Sequence, residues 1–206
     1  MPEKTNTVSL VMRIPAGRVP MDVMKEVCRI VEQYNLEMYL TTQQNLRINN
    51  VPEHALETIK ARITPYGIAF KAKGLFPLPR VCVGAPHCKM AKIDTARLNE
   101  NIMNVFADRT NIKEKFKMAI AGCTFGCSGT KYTDIAIEAT GAGFNVYAGG
   151  KGGVSPRVGT RIQKAITETE VIKVIETLVD FHQKKTSKKQ RMYKLLDDPS
   201  FPYQKV

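Results

Sequence analysis

Four of the chain's five cysteines fall in two short motifs, which constrain the fold more than any other sequence feature. Cys82 and Cys88 are separated by five residues, Cys123 and Cys127 by three, and thirty-four residues separate the motifs. Thiolates are soft ligands, and four of them suit either zinc or an iron–sulfur cluster. The wider spacing fits zinc poorly, because zinc cysteines usually lie closer together. A disulfide framework would need an oxidising compartment, and nothing in the sequence suggests export. The four cysteines therefore favour a metal site, and an iron–sulfur cluster is favoured over zinc.

Length and charge narrow the possible classes of protein. A chain of 206 residues can form one large or two small domains. Its net charge of +12 fits nucleic acid, an anionic membrane, an acidic partner or an anionic ligand. The absence of Trp and of any known nucleic-acid module argues against nucleic acid. No apolar run approaches a membrane span and no signal peptide is evident, so we expect a cytoplasmic protein.

The first domain is predicted to span residues 1–73. Hydrophobic periodicity predicts strands at 7–14, 36–41, 45–51 and 68–70, and helices at 20–34 and 52–63. This βαββαβ order is that of a ferredoxin-like half-domain.

The second domain is predicted to span residues 74–206, after a linker rich in Gly and Pro. Asp94 is expected to cap a helix that begins at Thr95, and Thr167 with Glu170 forms a capping box for the last helix. Predicted strands cover 116–121, 132–138 and 144–148. A basic run follows the last helix and is read as a solvated helix end or, less favourably, a docking patch for an acidic electron donor: Lys184, Lys185, Lys188, Lys189 and Arg191.

Taken together, the motifs resemble those of the sirohaem-dependent sulfite and nitrite reductases. The cysteine pattern C-x5-C followed by C-x-x-G-C is similar to the family signature. Residues 40–44 resemble its L-T-x-R-Q turn, residues 115–117 its K-F-K, and residues 149–162 its glycine-rich turn and G-T-R-I strand. The resemblance covers roughly residues 8–180 and includes one copy of a unit that long members carry twice. The chain is thus most similar to the small assimilatory-type sulfite reductases.

The resemblance implies an α+β fold, with a ferredoxin-like half-domain followed by a 4Fe-4S/sirohaem α+β domain. It implies that Cys82, Cys88, Cys123 and Cys127 bind a 4Fe-4S cluster, and that Cys127 is also the axial ligand of the sirohaem iron. The implied activity is six-electron reduction of sulfite to sulfide. Alternatives are nitrite reduction to ammonia, a cluster-bearing electron carrier without sirohaem, and a zinc-stabilised nucleic-acid module.

Three basic residues are implied to act on the substrate. Lys115 and Lys117 correspond to the family's substrate lysines, and on the predicted strand they would share one face about 7 Å apart. Arg80, two residues before Cys82, is a further candidate for holding the anion.

Other residues are implied to bind the sirohaem carboxylates. Gln43 stands where the family has an arginine. Arg47, on the same face about 13 Å further along a strand, is too far away to replace that charge but can reach a sirohaem carboxylate. Lys151, Arg157 and Arg161 flank the Gly149–Gly150 turn and are expected to cradle the macrocycle.

The expected partners follow from the cofactor motifs that the chain lacks and from its single copy of the family unit. No flavin or nicotinamide signature is present, so electrons are expected from a separate ferredoxin-like carrier. A homodimer would restore the paired arrangement of the long members, with lysines and cysteines supplied by different chains.

Overall fold

The computed structural model describes residues 6–187 and 190–206. The chain divides into two compact units, one up to Ala72 and one from Lys73 onward. Each unit contains its own sheet, and together they confirm the predicted α+β class.

The first unit is a small antiparallel sheet with two helices. Its elements are β1 (Thr7–Met12), α1 (Met21–Tyr34), β2 (Glu37–Leu40), β3 (Leu46–Pro52) and α2 (Leu56–Ile63). The strand order is β1-β3-β2. The predicted last strand is reduced to one bridge between Phe70 and Met12. Two flanking backbone hydrogen bonds, from Arg13 to Ala69 and from Lys71 to Val11, place this segment beside β1.

The helices of the first unit are held by apolar residues at helical spacing. Val23, Val27 and Ile30 of α1 are buried, as are Ile59 and Ile63 of α2. Residues that repeat every three or four positions share one face of a helix, and this face supplies the core.

The second unit is built on a mixed five-stranded sheet. Its strands are β4 (Arg80–Val81), β5 (Met118–Ala121), β6 (Ile135–Thr140), β7 (Gly143–Ala148) and β8 (Thr160–Ile166), in that spatial order. β4, β5 and β6 run parallel, whereas β6, β7 and β8 are antiparallel.

Two helices lie side by side against the second sheet: α3 (Thr95–Phe106) and α4 (Glu168–Lys185). Asn101 of α3 donates a hydrogen bond to Glu168 of α4 at 2.6 Å. Asp94 caps α3 and the Thr167–Glu170 capping box begins α4, which confirms both predicted helix starts. Local side-chain hydrogen bonds determine where these helices begin.

A crossover segment, residues 122–134, connects the parallel strands β5 and β6. Arg80 pairs with Ala119 across β4 and β5, and Ala119 pairs with Ala136 across β5 and β6. Glu138 lies two residues after Ala136, and because side chains alternate along a strand, Arg80 and Glu138 lie on the same face of the sheet. Both residues bond to the crossover segment, Arg80 through the Gly129 carbonyl and Glu138 through the Thr130 hydroxyl. The crossover segment therefore covers this face. Within the described ranges, no helix is both long and apolar enough to cross a membrane.

Candidate functional site

The two cysteine motifs leave the second sheet at the same edge. Cys82 directly follows β4, and Cys123 follows β5 by one intervening glycine. Because β4 and β5 are parallel neighbours, their carboxyl ends meet at that edge. The Gly122 amide donates a hydrogen bond to the Cys82 Sγ at 3.1 Å, and the Lys92 amide donates to the Gly122 carbonyl at 2.7 Å. The motifs are thus joined directly.

The thiols are available as ligands. All five cysteines are free; Cys82, Cys88 and Cys123 are half-buried, and Cys127 is exposed. Amide-to-sulfur hydrogen bonds stabilise thiolate charge and tune iron–sulfur centres. In residues 6–187 and 190–206, no three His, Cys, Asp or Glu side chains converge on a position for a single metal ion. Four thiols on two joined loops provide the donor chemistry that a 4Fe-4S cluster requires.

Two glycines shape these loops. Gly84 has a φ of +66°, and a Cβ there would collide with Thr95. Gly126 has a φ of +64°, and a Cβ there would lie 2.7 Å from the Thr130 Oγ1. Glycine tolerates positive φ and close backbone approach. Thr95 also ties the first loop to α3, since its hydroxyl donates to the Cys82 carbonyl at 2.6 Å.

The K-F-K segment does not lie on a strand, so the predicted placement of its lysines is wrong. β5 begins only at Met118; Lys115 is exposed in a turn closed by the Phe116 amide and the Lys113 carbonyl. The Lys117 amide donates instead to the Asp134 carboxylate at 3.0 Å. Because the Lys117 amide is engaged in this long-range bond, it is not available for the interstrand hydrogen bonds of a longer β5.

Asp134 links the K-F-K segment to the end of the chain. The Arg191 Nε–H is shared between the two oxygens of the fully buried Asp134 carboxylate, at 2.7 and 2.8 Å, and the Met192 amide donates a further hydrogen bond. Burial raises the pKa of Asp134, and the Arg191 guanidinium opposes that rise. Arg191 is thus a structural cation here. Two other residues of the predicted basic run, Lys188 and Lys189, lie outside the described residues.

Arg80 lies partly beneath the crossover segment. Its Nη2 donates to the Gly129 carbonyl at 3.3 Å, and its buried Nε has no hydrogen-bond partner in the described structure. Burial lowers the pKa of this guanidinium. The unpaired Nε is a donor that an acidic group or anion can satisfy.

Gln43 and Arg47 lie in the first unit, in different settings. Gln43 occupies the turn between β2 and β3, so the predicted shared strand face with Arg47 is wrong. Arg47 lies on β3 and its guanidinium donates to Asn49 and to Ser9, each at 2.7 Å.

The structure brings Lys151 and Arg157 together but places Arg161 separately. Lys151 and Arg157 exchange backbone hydrogen bonds, and both cations lie over the Tyr193 ring, at 5.3 and 5.1 Å. Arg157 also lines a cavity of about 530 Å³ that includes Tyr193. Arg161 lies opposite Tyr147 in the β7–β8 pair, and its Nε donates to the Val206 carbonyl.

Sequence reasoning missed two buried acids in the second unit, Asp134 and Glu138. Both are fully buried; Asp134 directly precedes β6 and Glu138 lies in the middle of that strand. The available signal was a glutamate inside the otherwise apolar run I-A-I-E-A. A charged residue in such a run is expected to be paired or functional.

Two family descriptions match the sequence. "Nitrite and sulphite reductase 4Fe-4S domain" matches residues 79–201, and "Nitrite/Sulfite reductase ferredoxin-like half domain" matches residues 1–66.

Individual relatives are also nitrite and sulfite reductases. An NAD(P)H nitrite reductase of Emericella nidulans is 27% identical over 202 residues, which are 95% of this chain and 18% of that protein. An assimilatory-type sulfite reductase of Nitratidesulfovibrio vulgaris is 22% identical, over 93% of this chain and 87% of that protein. The structure of the Mycobacterium tuberculosis NirA protein has a TM-score of 0.75 at 19% identity, covering 93% of this chain and 38% of that chain. The chain spans less than a quarter of the Emericella nidulans nitrite reductase but most of the small sulfite reductase.

Proposed function

Because the chain belongs to the nitrite and sulphite reductase family, we propose that it reduces sulfite to sulfide as a sirohaem and 4Fe-4S oxidoreductase. The observation that carries the proposal is the joining of the two cysteine motifs at one sheet edge, through the Gly122 amide and the Cys82 sulfur. The similarity to a small sulfite reductase over most of both chains supports sulfite as the substrate.

The four thiols have the central role. Cys82, Cys88, Cys123 and Cys127 would hold the 4Fe-4S cluster, and Cys127 would also ligate the sirohaem iron. When bound, these groups supply the electron storage and the iron at which an anion is reduced. The protein contributes the loop geometry and the amide that polarises the Cys82 sulfur.

The basic residues would handle the anion. Lys115 and Lys117 would hold the substrate oxygens and promote their protonation, as Arg80 would through its unpaired Nε. The exposed turn around Lys115 leaves this side chain free to reorient towards an anion.

The macrocycle carboxylates would be bound by a second set of residues. Lys151 and Arg157 form a compact cationic pair over Tyr193 and are the best-supported candidates. The family resemblance alone supports the same role for Arg161, Arg47 and Gln43. Arg47 would first have to release its hydrogen bond to Ser9 or Asn49.

The proposal is tested by turnover with an artificial donor. Anaerobically purified protein, reconstituted with iron, sulfide and sirohaem, is supplied with reduced methyl viologen and sulfite. Stoichiometric sulfide formation is expected, and the Cys127→Ser chain treated in the same way should form none. A loaded protein that forms sulfide no faster than this control contradicts the proposal.

Nitrite reduction to ammonia is a second candidate function. It is favoured by nitrite reductases that match across 95% of this chain at 27% identity. The same assay with nitrite, scored for ammonium, ranks the two substrates by kcat/KM.

We also propose a ferredoxin-like electron donor and a cytoplasmic location. Thiols stay reduced in the cytoplasm, and an acidic carrier would be attracted to a chain with a net charge of +12. Sulfide formation with reduced ferredoxin but none with NADPH alone is the expected result. Efficient turnover by this chain with NADPH as the only reductant would contradict a separate donor.

A two-fold homodimer completes the proposal. Each site would combine the four cysteines of one chain with Lys115 and Lys117 of its partner. A heterodimer of a Cys127→Ser chain with a Lys115→Ala, Lys117→Ala chain should then recover one working site. Inactive heterodimers of proven composition, or an active monomer, would exclude shared sites.

A further inference from the structure

A buried carboxyl group, Glu138, lies beneath the second cysteine motif and has no place in the ligand set proposed above. Glu138 is in the middle of β6, is 0% exposed, and pairs with Ala121 on β5 and Asn145 on β7. Placing a carboxyl group in such an environment costs free energy unless hydrogen bonds or a counter-charge compensate it. The setting therefore requires a physical or functional explanation.

The contacts of Glu138 lead to the cysteine loop. Its Oε1 accepts a hydrogen bond from the Thr130 hydroxyl at 2.5 Å. A Cβ on Gly126 would lie 3.0 Å from the same oxygen, and Gly126 directly precedes Cys127. The carboxyl group is thus packed against the backbone of the Cys123–Cys127 loop, on the side that faces the sheet.

In the part of the chain that the structure describes, no cation forms an ion pair with the Glu138 carboxyl group. Its Oε2 is buried without a hydrogen-bond partner, and no salt bridge to Glu138 occurs in residues 6–187 and 190–206. Arg80 lies on the same sheet face but does not approach within ion-pair distance in these ranges. Tyr147 lies close to the Glu138 carboxyl group: burial raises the pKa of Tyr147 first, and the nearby charge of Glu138 and a hydrogen bond to it raise it further.

We propose that Glu138 is a positioning residue that is ionised beneath the Cys123–Cys127 loop, and that its negative charge lowers the reduction potential of a cluster held by that loop. The inference rests on the proposed function. Net charge around an iron–sulfur cluster is one determinant of its potential, and a nearby negative charge opposes the arrival of an electron. Glu138 itself would exchange no electron; a cluster bound by the loop would take up and pass on electrons, and Glu138 would change only how readily the cluster is reduced.

The test is a potentiometric titration of the reconstituted cluster, followed by electron paramagnetic resonance. Glu138→Gln keeps the size of the side chain and an acceptor oxygen for Thr130 but removes the charge, so the midpoint potential should rise. Glu138→Asp, which keeps the charge, should stay closer to wild type. Glu100→Gln, a matched change on the exposed face of α3, should leave the potential unchanged.

A Glu138→Gln chain that binds the cluster at the wild-type potential overturns the inference and leaves the proposed function intact. A wild-type chain that binds no cluster overturns both. If Glu138→Gln does not assemble a cluster, Thr130→Val decides: it keeps the charge and removes the hydrogen bond that screens it. Its potential should equal or fall below that of the wild type, and a rise contradicts the inference.

Discussion

The Gly122 amide lies 3.1 Å from the Cys82 Sγ and donates a hydrogen bond to it, although the two residues are 40 positions apart. This bond exists because β4 and β5 are parallel neighbours whose carboxyl ends meet. The arrangement makes four thiols, from motifs far apart in sequence, parts of one site.

Replacing Cys127 with serine should remove both prosthetic groups. Its thiol is the most exposed of the four and is proposed to serve both the cluster and the sirohaem iron. Iron, labile sulfide and visible absorbance should all fall to near background. Cys28→Ser, a control on α1 in the first unit, should retain all three. An intact cluster with an unchanged haem spectrum in Cys127→Ser would exclude the bridging role.

The Lys115→Ala, Lys117→Ala double variant should bind both prosthetic groups but turn over far more slowly, by about 10²-fold or more. The reason is that the lysines would stabilise anionic oxygens without ligating metal. Steady-state kinetics with sulfite and nitrite provide the measurement, and Lys164→Ala, an exposed lysine on β8, is the control. Near-normal kinetics would remove both lysines from the mechanism.

Arg191→Met should destabilise the second unit by about 3–5 kcal/mol, because it leaves the buried Asp134 carboxylate without its cation. The free energy of unfolding from denaturant titration is the measurement. Lys194→Ala, an exposed neighbour, should change it by less than about 0.5 kcal/mol. Equal stability of the two variants would show that the Asp134–Arg191 pair is not structurally important.

The stability of the chain should fall as the pH drops below 6.5, and His182 should cause part of that loss. Burial lowers the pKa of His182 from 6.5, and its Nε2 donates to the Gln190 carbonyl at 2.9 Å. The unfolded chain therefore binds a proton more readily than the folded chain in the window just below 6.5. His182→Gln should flatten the unfolding free energy across that window, whereas His54→Gln, at an exposed position, should not. An unchanged slope in His182→Gln would contradict this origin.

Local signals in the sequence predicted the elements that depend on neighbouring residues. Asp94 and the Thr167–Glu170 pair marked helix starts that the structure confirms, because capping bonds span only two or three positions. The strand assigned to the K-F-K segment failed because Asp134, 17 positions further along, takes the Lys117 amide.

The candidate site was predictable only in part. The cysteine spacing indicated a metal site, but which residues lie under the loops depends on strand order and register. Glu138 reaches the Cys123–Cys127 loop only because β6 pairs with β5 in one specific register. Such non-local pairing has no signature within a few residues of either partner.

The visible absorption spectrum of the purified chain tests the central claim most directly. A sirohaem and 4Fe-4S protein should show a Soret band together with a longer-wavelength chlorin-like band, and Cys127→Ser should lack both. A broad shoulder alone would indicate a cluster protein without sirohaem. A featureless spectrum that persists after reconstitution with iron, sulfide and sirohaem would contradict the account.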